Sequence, residues 1–129
     1  MVSFSSSVFI SRFNNAIVRR TKSFSVPVSK FSREILNLFY KEGYIFSYYF
    51  DSTKNCFLVY PNHRVVSFKL ILYSQPSRKL NFKYFQVKKN INSGKFFILK
   101  TVFGLQFSDS ASLNRIGGQP IFIMNYFLW

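Results

Sequence analysis

The sequence predicts an α+β chain, with a first half in which helices cover a small antiparallel sheet and a smaller second half that is mainly β. Three observations predict it. Residues 30–42 carry apolar side chains at helical spacing between a capping Ser29 and a terminating Gly43. Residues 44–50, 56–60 and 65–73 alternate as strands between turn clusters. A break around Pro76 is then followed by further strand-like runs and a Gly117-Gly118 turn.

Taken in order, residues 3–18 place Phe4, Val8, Phe9, Phe13, Ala16 and Ile17 on one helical face, with Arg12, Asn14 and Asn15 on the other and Ser3 or Ser5 as cap. Residues 23–28 read as a short extended piece. In the helix at 30–42, Phe31, Ile35, Leu38, Phe39 and Glu42 follow the i, i+4, i+7, i+8, i+11 rhythm. Asp51 to Asn55 form a turn between two strands. Residues 80–89 and 96–102 read as strands around Asn90-Ile91-Asn92-Ser93-Gly94. A short helix, capped by Ser108, is expected over 108–115, and a last strand over 121–128. The boundary near Pro76 divides the chain into residues 1–73 and 74–129.

Charge sets the class of partner. Eighteen Lys and Arg stand against four acids (Glu34, Glu42, Asp51 and Asp109), a net charge of +14 on 129 residues. A domain that repels itself this strongly calls for a polyanion: nucleic acid, an anionic membrane surface or an acidic partner. Hydrophobic residues make up 48%, so the chain is no disordered basic tail. The 18 Phe residues read as core first and as stacking platforms for unpaired bases second. Phe, Tyr, Asn, Lys and Ile are enriched while Gly and Pro are sparse, the pattern of a gene in an A/T-rich genome such as a mitochondrial or plastid one. The apolar stretch 121–129 is interrupted by Asn125 and falls short of the about 20 residues a membrane span takes.

Catalysis is disfavoured by inventory. Cys56 and His63 are the sole residues of their kinds, so neither a disulfide framework nor a cysteine zinc site exists, and His63 in its polar turn reads as a solvated loop residue. The four carboxylates are scattered, and Gly117-Gly118 lacks the Lys-Ser or Lys-Thr of a phosphate-cradling loop. What remains is three basic clusters: Arg19-Arg20-Thr21-Lys22, Arg78-Lys79, and Lys88-Lys89 at a strand end. Each phosphate such cations neutralise releases condensed counterions.

Val26-Pro27-Val28-Ser29-Lys30-Phe31, leading to Lys41-Glu42-Gly43-Tyr44-Ile45, resembles the helix of the bacterial-type small-subunit ribosomal protein eight family, which opens on Pro-x-Ser-Lys-Leu and closes on Lys-Glu-Glu-Gly-Tyr/Phe-Ile. Arg12-Phe13-Asn14-Asn15 resembles its Arg-Ile-Arg-Asn, and Ser74-Gln75-Pro76-Ser77-Arg78-Lys79 its Ser-Lys-Pro-Gly-x-Arg. Ile98-Leu99-Lys100-Thr101-Val102-Phe103-Gly104 resembles Ile-Leu-Ser-Thr-Ser-Lys-Gly, the family's RNA-contacting loop. The similarity spans about residues 8–124. It departs at Lys100, Val102 and Phe103, which replace two hydroxyls and a Lys, and at Ser77 and Gln119, which replace a Gly and an acid.

The resemblance implies an N-terminal α-β-α-β-β half packed on a smaller β-rich C-terminal half. It implies a structural constituent of the small ribosomal subunit that binds the central domain of small-subunit rRNA and supports its folding and assembly for translation. The implied partners are that rRNA and neighbouring small-subunit proteins, with no small-molecule substrate, membrane span, cofactor or metal. The residues it places at the RNA are Arg12, Asn15, Ser29, Lys30, Arg78, Lys79, Lys100, Thr101, Gly104, Gly117 and Gly118. With Arg12 to Asn15 matched to the first helix, about ten residues precede it, short for a transit peptide. With the codon bias, this favours synthesis inside the organelle, mitochondrion ahead of plastid. The competing expectation is a basic membrane-associated accessory protein of an organellar complex.

Overall fold

The computed structural model describes residues 3–73 and 82–126, for residues 3–6 in the backbone alone. The chain divides into two compact units, one of residues 1–69 and 126–129 and one of residues 70–125. The expected boundary at Pro76 lies outside the described residues.

The first unit runs α1 (Ser3–Arg19), β1 (Phe24–Pro27), α2 (Lys30–Lys41), β2 (Ile45–Asp51) and β3 (Cys56–Pro61). The strands form an antiparallel sheet in the order β1-β3-β2, with Phe24 opposite Val59 and Tyr48 opposite Val59 from the other side. Period-two alternation buries Phe57, Val59 and Pro61 of β3 and leaves Cys56, Leu58 and Tyr60 less covered.

Both helices bury their apolar stripes. Phe9, Phe13, Ala16 and Ile17 of α1 and Ile35, Leu36 and Phe39 of α2 are buried. At the centre is a nest of rings. The Phe13 centroid lies 5.8 Å from Phe9, 5.3 Å from Phe39, 6.0 Å from Phe68 and 6.4 Å from Phe24. Two of these pairs are stacked, one is tilted and one edge-on, arrangements that gain from the ring quadrupoles beyond the area they bury. The abundance of Phe is, in this unit, chiefly a matter of core.

The α2 terminus shows how the local sequence dictates its start. Ser29 is extended (φ −158°), and its hydroxyl accepts from the Ser32 N–H at 3.0 Å, while the Ser32 hydroxyl accepts from the Ser29 N–H at 2.9 Å. This is a capping box with serine where glutamate or glutamine usually stands. Gly43 ends the helix at φ +79°. The buried stripe is Ser32, Ile35, Leu36 and Phe39, so the expected face is rotated. Phe31 and Leu38 are half-buried, and Glu42 is an exposed C-cap. Ser32 is 2% exposed and its hydroxyl also donates to the Pro27 carbonyl at 2.9 Å, so Ser32→Ala removes that bond together with the half of the capping box that satisfies the Ser29 N–H. A loss of about 1–2 kcal/mol is expected, read from the midpoint of urea unfolding.

His63 is half-buried in its turn, and its Nε2–H donates to the Thr21 carbonyl at 2.6 Å. It is a satisfied structural histidine that ties this turn to the α1–β1 connection, rather than the solvated residue the sequence suggests.

The second unit holds β4 (Phe68–Leu72, whose first two residues count with the first unit), α3 (Tyr84–Asn92), β5 (Phe96–Thr101), β6 (Gly104–Phe107), α4 (Ser108–Leu113) and β7 (Gln119–Tyr126). Its sheet has the order β4-β7-β5-β6, with β5 antiparallel to both neighbours. Val87, Phe97, Leu99 and Ala111 make its core, with Tyr73, Phe82, Ile91, Ile116 and Ile123 packed against it.

Two expectations are corrected here and one element is added. Residues 84–92 are a helix, not a strand: Tyr84, Val87 and Ile91 are its inward-facing positions, spaced three and four apart, and the Gln86 side chain accepts from the Lys83 N–H at 2.8 Å to start it. Lys88 and Lys89 therefore sit on α3 rather than at a strand end. Ser108 is the first residue of α4, with Phe107 as cap, and its buried hydroxyl accepts from the Phe97 N–H at 3.2 Å. Finally, Gly104–Phe107 form a strand that the sequence reading leaves unassigned.

Candidate nucleic-acid interface

Every Lys and Arg among the described residues is exposed. Four acids cannot neutralise them, and one of these, Asp51, is committed to its own turn. Its carboxylate accepts from the Thr53 hydroxyl at 2.6 Å and the Thr53 N–H at 3.0 Å, bonds that hold its pKa below the usual value. The positive charge of the described residues is thus carried outward into solvent.

In the first unit, Arg12 and Asn15 are both exposed on α1 and line an open groove of about 310 Å³ together with Arg19, Thr21 and Ser25. Arg12 is oriented by the fold: its Nη1 donates to the Ser25 carbonyl at 2.8 Å and to the Ser25 hydroxyl at 3.1 Å. The remaining guanidinium donors keep the planar fork that suits phosphate. Ser29 spends its hydroxyl on the capping box, so its demonstrated role is to start α2. Lys30, the next residue, is exposed at the positive end of the helix dipole. Arg78 and Lys79 lie outside the described residues.

In the second unit the matched loop is the β5–β6 hairpin, with Thr101 opposite Gly104 and Val102-Phe103 at the tip. The Thr101 hydroxyl donates to the Gly104 carbonyl at 2.9 Å and accepts from the Phe103 N–H at 3.1 Å. Thr101 therefore pins the turn. Gly104 has φ +100°, and a Cβ there would meet nothing within 4 Å, so backbone conformation fixes this glycine and open space surrounds it. Lys100 is exposed on β5, Gln119 of β7 opposite it on one side and Leu105 of β6 on the other.

Gly117 and Gly118 have reasons inside the fold. A Cβ on Gly117 would lie 2.0 Å from the Phe82 carbonyl oxygen, and one on Gly118 would lie 2.7 Å from the Lys100 carbonyl oxygen and 3.0 Å from Thr101 Cγ2. Phe82 and Gly118 exchange backbone hydrogen bonds of 2.8 and 2.9 Å. The glycine pair thus lets the chain entering β7 pass tightly behind the root of the hairpin. Sequence reading missed this close approach and the double bond made by Thr101. The Gly-Gly pair itself was the available signal.

Among the described residues no group of three or more His, Cys, Asp and Glu could hold a metal ion, and no helix is long and apolar enough to cross a membrane.

Fold and surface together define a class: a basic α+β protein with aromatic and aliphatic cores, its described cations all exposed on the surface. The comparisons make that specific. The family model described as Ribosomal protein S8 matches residues 7–124. The chain is 33% identical over 120 residues to "Small ribosomal subunit protein uS8" of Levilactobacillus brevis, covering 88% of this chain and 90% of that one. It is 31% identical over 118 residues to the protein of the same description in Geobacillus kaustophilus, covering 87% and 89%. It is 28% identical over 120 residues to that of Phocaeicola vulgatus, covering 88% and 92%. The chain belongs to the ribosomal protein S8 family, and is a structural protein of the small ribosomal subunit.

Proposed function

We propose that this chain binds the central domain of small-subunit rRNA and supports its folding and assembly, in an organellar ribosome, mitochondrial rather than plastid. The observation that carries the RNA-binding reading is the net charge of +14 on an S8-family chain whose described cations are all exposed. A-form RNA hides its major groove, so a protein of this size reads its shape and its minor-groove hydroxyls. The β5–β6 hairpin would meet the minor-groove side, with Lys100 as a point charge on the backbone and the open space at Gly104 admitting close approach. Arg12, Asn15 and Lys30 of the first unit, with Arg78, Lys79, Gly117 and Gly118, complete the proposed contact set.

The organellar reading is supported by a chain rich in Phe, Tyr, Asn, Lys and Ile, at about 30% identity to bacterial relatives. Membership of a ribosomal family leaves the membrane-accessory reading without support.

The test is titration of the full chain with a transcript of the central domain of small-subunit rRNA across a salt series. Affinity is expected to fall steeply with salt. Replacing Arg78, Lys79 and Lys100 by Gln is expected to flatten the log–log slope by about one unit per lost phosphate contact. Salt-independent binding, or equal binding to an unrelated transcript, overturns the reading. Lys100→Gln suits this test because it leaves the hairpin intact. Thr101→Ala and Gly104→Val would instead dismantle the tip.

A further inference from the structure

We propose that Phe103 is a stacking platform, placing its ring on an unpaired base of the RNA that the β5–β6 hairpin meets. This rests on the rRNA-binding reading above and adds to it a specific contact that charge does not supply.

The tip presents two adjacent apolar side chains to solvent, Val102 at 88% and Phe103 at 73% exposure. Among the described residues, the other exposed large apolar side chains lie on helices and strands, save Val65 at 46% in the His63 turn, whereas these two project side by side from a two-residue turn. That turn is rigid. Thr101 clamps it from both sides through the Phe103 N–H and the Gly104 carbonyl, and Gly118 closely backs the Lys100 carbonyl and the Thr101 methyl. A ring displayed on a pinned turn has lost its backbone freedom before any ligand arrives, so binding has less left to order.

The chemistry around the ring selects a base. Residues 95–107 contain Lys95 and Lys100 and no acid. Lys100, two residues before the turn, is the cation on the hairpin available to a phosphate beside the ring. A protein interface needs about 800 Å² from each partner, more than a two-residue tip offers. A single ring is enough for one base, because every base has a π-face. Compared with the family pattern, charge has moved from the tip to the strand, and the position after the turn's first residue has become aromatic.

The experiment compares the full chain with Phe103→Ala, Phe103→Leu and Phe103→Trp on the same central-domain transcript. All four are expected to unfold at the same temperature, since the ring is outside the core. Phe103→Ala is expected to weaken binding about tenfold to a hundredfold with the salt slope unchanged. Phe103→Leu should bind as poorly as the alanine variant. Phe103→Trp should bind like the native chain, with added fluorescence that RNA quenches over the Trp129 background. If native chain binds and Phe103→Leu binds equally well, burial rather than stacking is at work and the proposal falls. If Phe103→Ala keeps full RNA affinity, including where it loses entry into small-subunit particles or affinity for anionic vesicles, the tip serves a protein or a membrane and the proposal again falls. If the native chain itself ignores the transcript, the rRNA-binding reading fails first.

Discussion

Phe13→Ala is expected to destabilise the first unit by about 3–5 kcal/mol, a large share of the 5–15 kcal/mol that holds a typical domain folded. Phe13 has no exposed surface and its ring contacts those of Phe9, Phe24, Phe39 and Phe68. Truncation removes the ring all four share, and stiff neighbouring rings cannot collapse into the space, so a cavity cost adds to the lost transfer energy. The check is urea unfolding followed by far-UV circular dichroism. The fitting control is Phe46→Ala, where the ring is 64% exposed and the change should stay within about 0.5 kcal/mol. Equal effects at the two sites would show that the ring nest is not where the stability lies.

Gly117→Ala is expected to cost on the order of 3 kcal/mol, all of it in the second unit. The added methyl would meet the Phe82 carbonyl oxygen at 2.0 Å, the Phe82 carbonyl carbon at 2.9 Å and the Lys83 carbonyl carbon at 3.0 Å. All three are backbone atoms, which cannot swing aside as a side chain can. Relief requires separating the two segments, at the expense of the paired bonds between Phe82 and Gly118. Native-state hydrogen exchange should show early loss of protection at the Phe82 and Gly118 amides, with the amides of β3 unaffected. Gly94→Ala is the contrasting case. It has open space around it and a φ of +81°, so only a left-handed backbone penalty of about 1–2 kcal/mol applies.

The parts of this fold that were legible in the sequence are those where local signals agree. At α2 a capping serine, an apolar stripe and Gly43 all point to one helix, and the structure places it at Lys30–Lys41. Even there the buried face is turned toward Ser32 and Leu36, because a serine completing a capping box is buried for hydrogen bonding and not for hydrophobicity. At α3 the signals conflict. Phe82, Tyr84, Phe85 and Val87 are strand formers, and only Tyr84, Val87 and Ile91 keep helical spacing, so tertiary burial of Val87 overrides propensity. The strand β6 is four residues long and exists through its pairing with β5, which no local pattern announces. At the candidate interface, residue types were readable but their present duties were not. Thr101 presents a hydroxyl in sequence, yet in the structure that hydroxyl is bound within its own turn. Arg12 is both exposed and tethered to Ser25.

Tyr126, at the end of β7, belongs to the first unit and sets its ring edge-on to Phe68 at 5.5 Å. Phe68 in turn leans on Phe13 and Phe39. A nascent chain leaves the peptidyl tunnel amino end first at roughly 5–20 residues per second, so Phe68 waits several seconds for this mate. The earliest-made body of the molecule is therefore the last to be sealed, and a message truncated before codon 126 would release a product whose opening segment is itself left ajar.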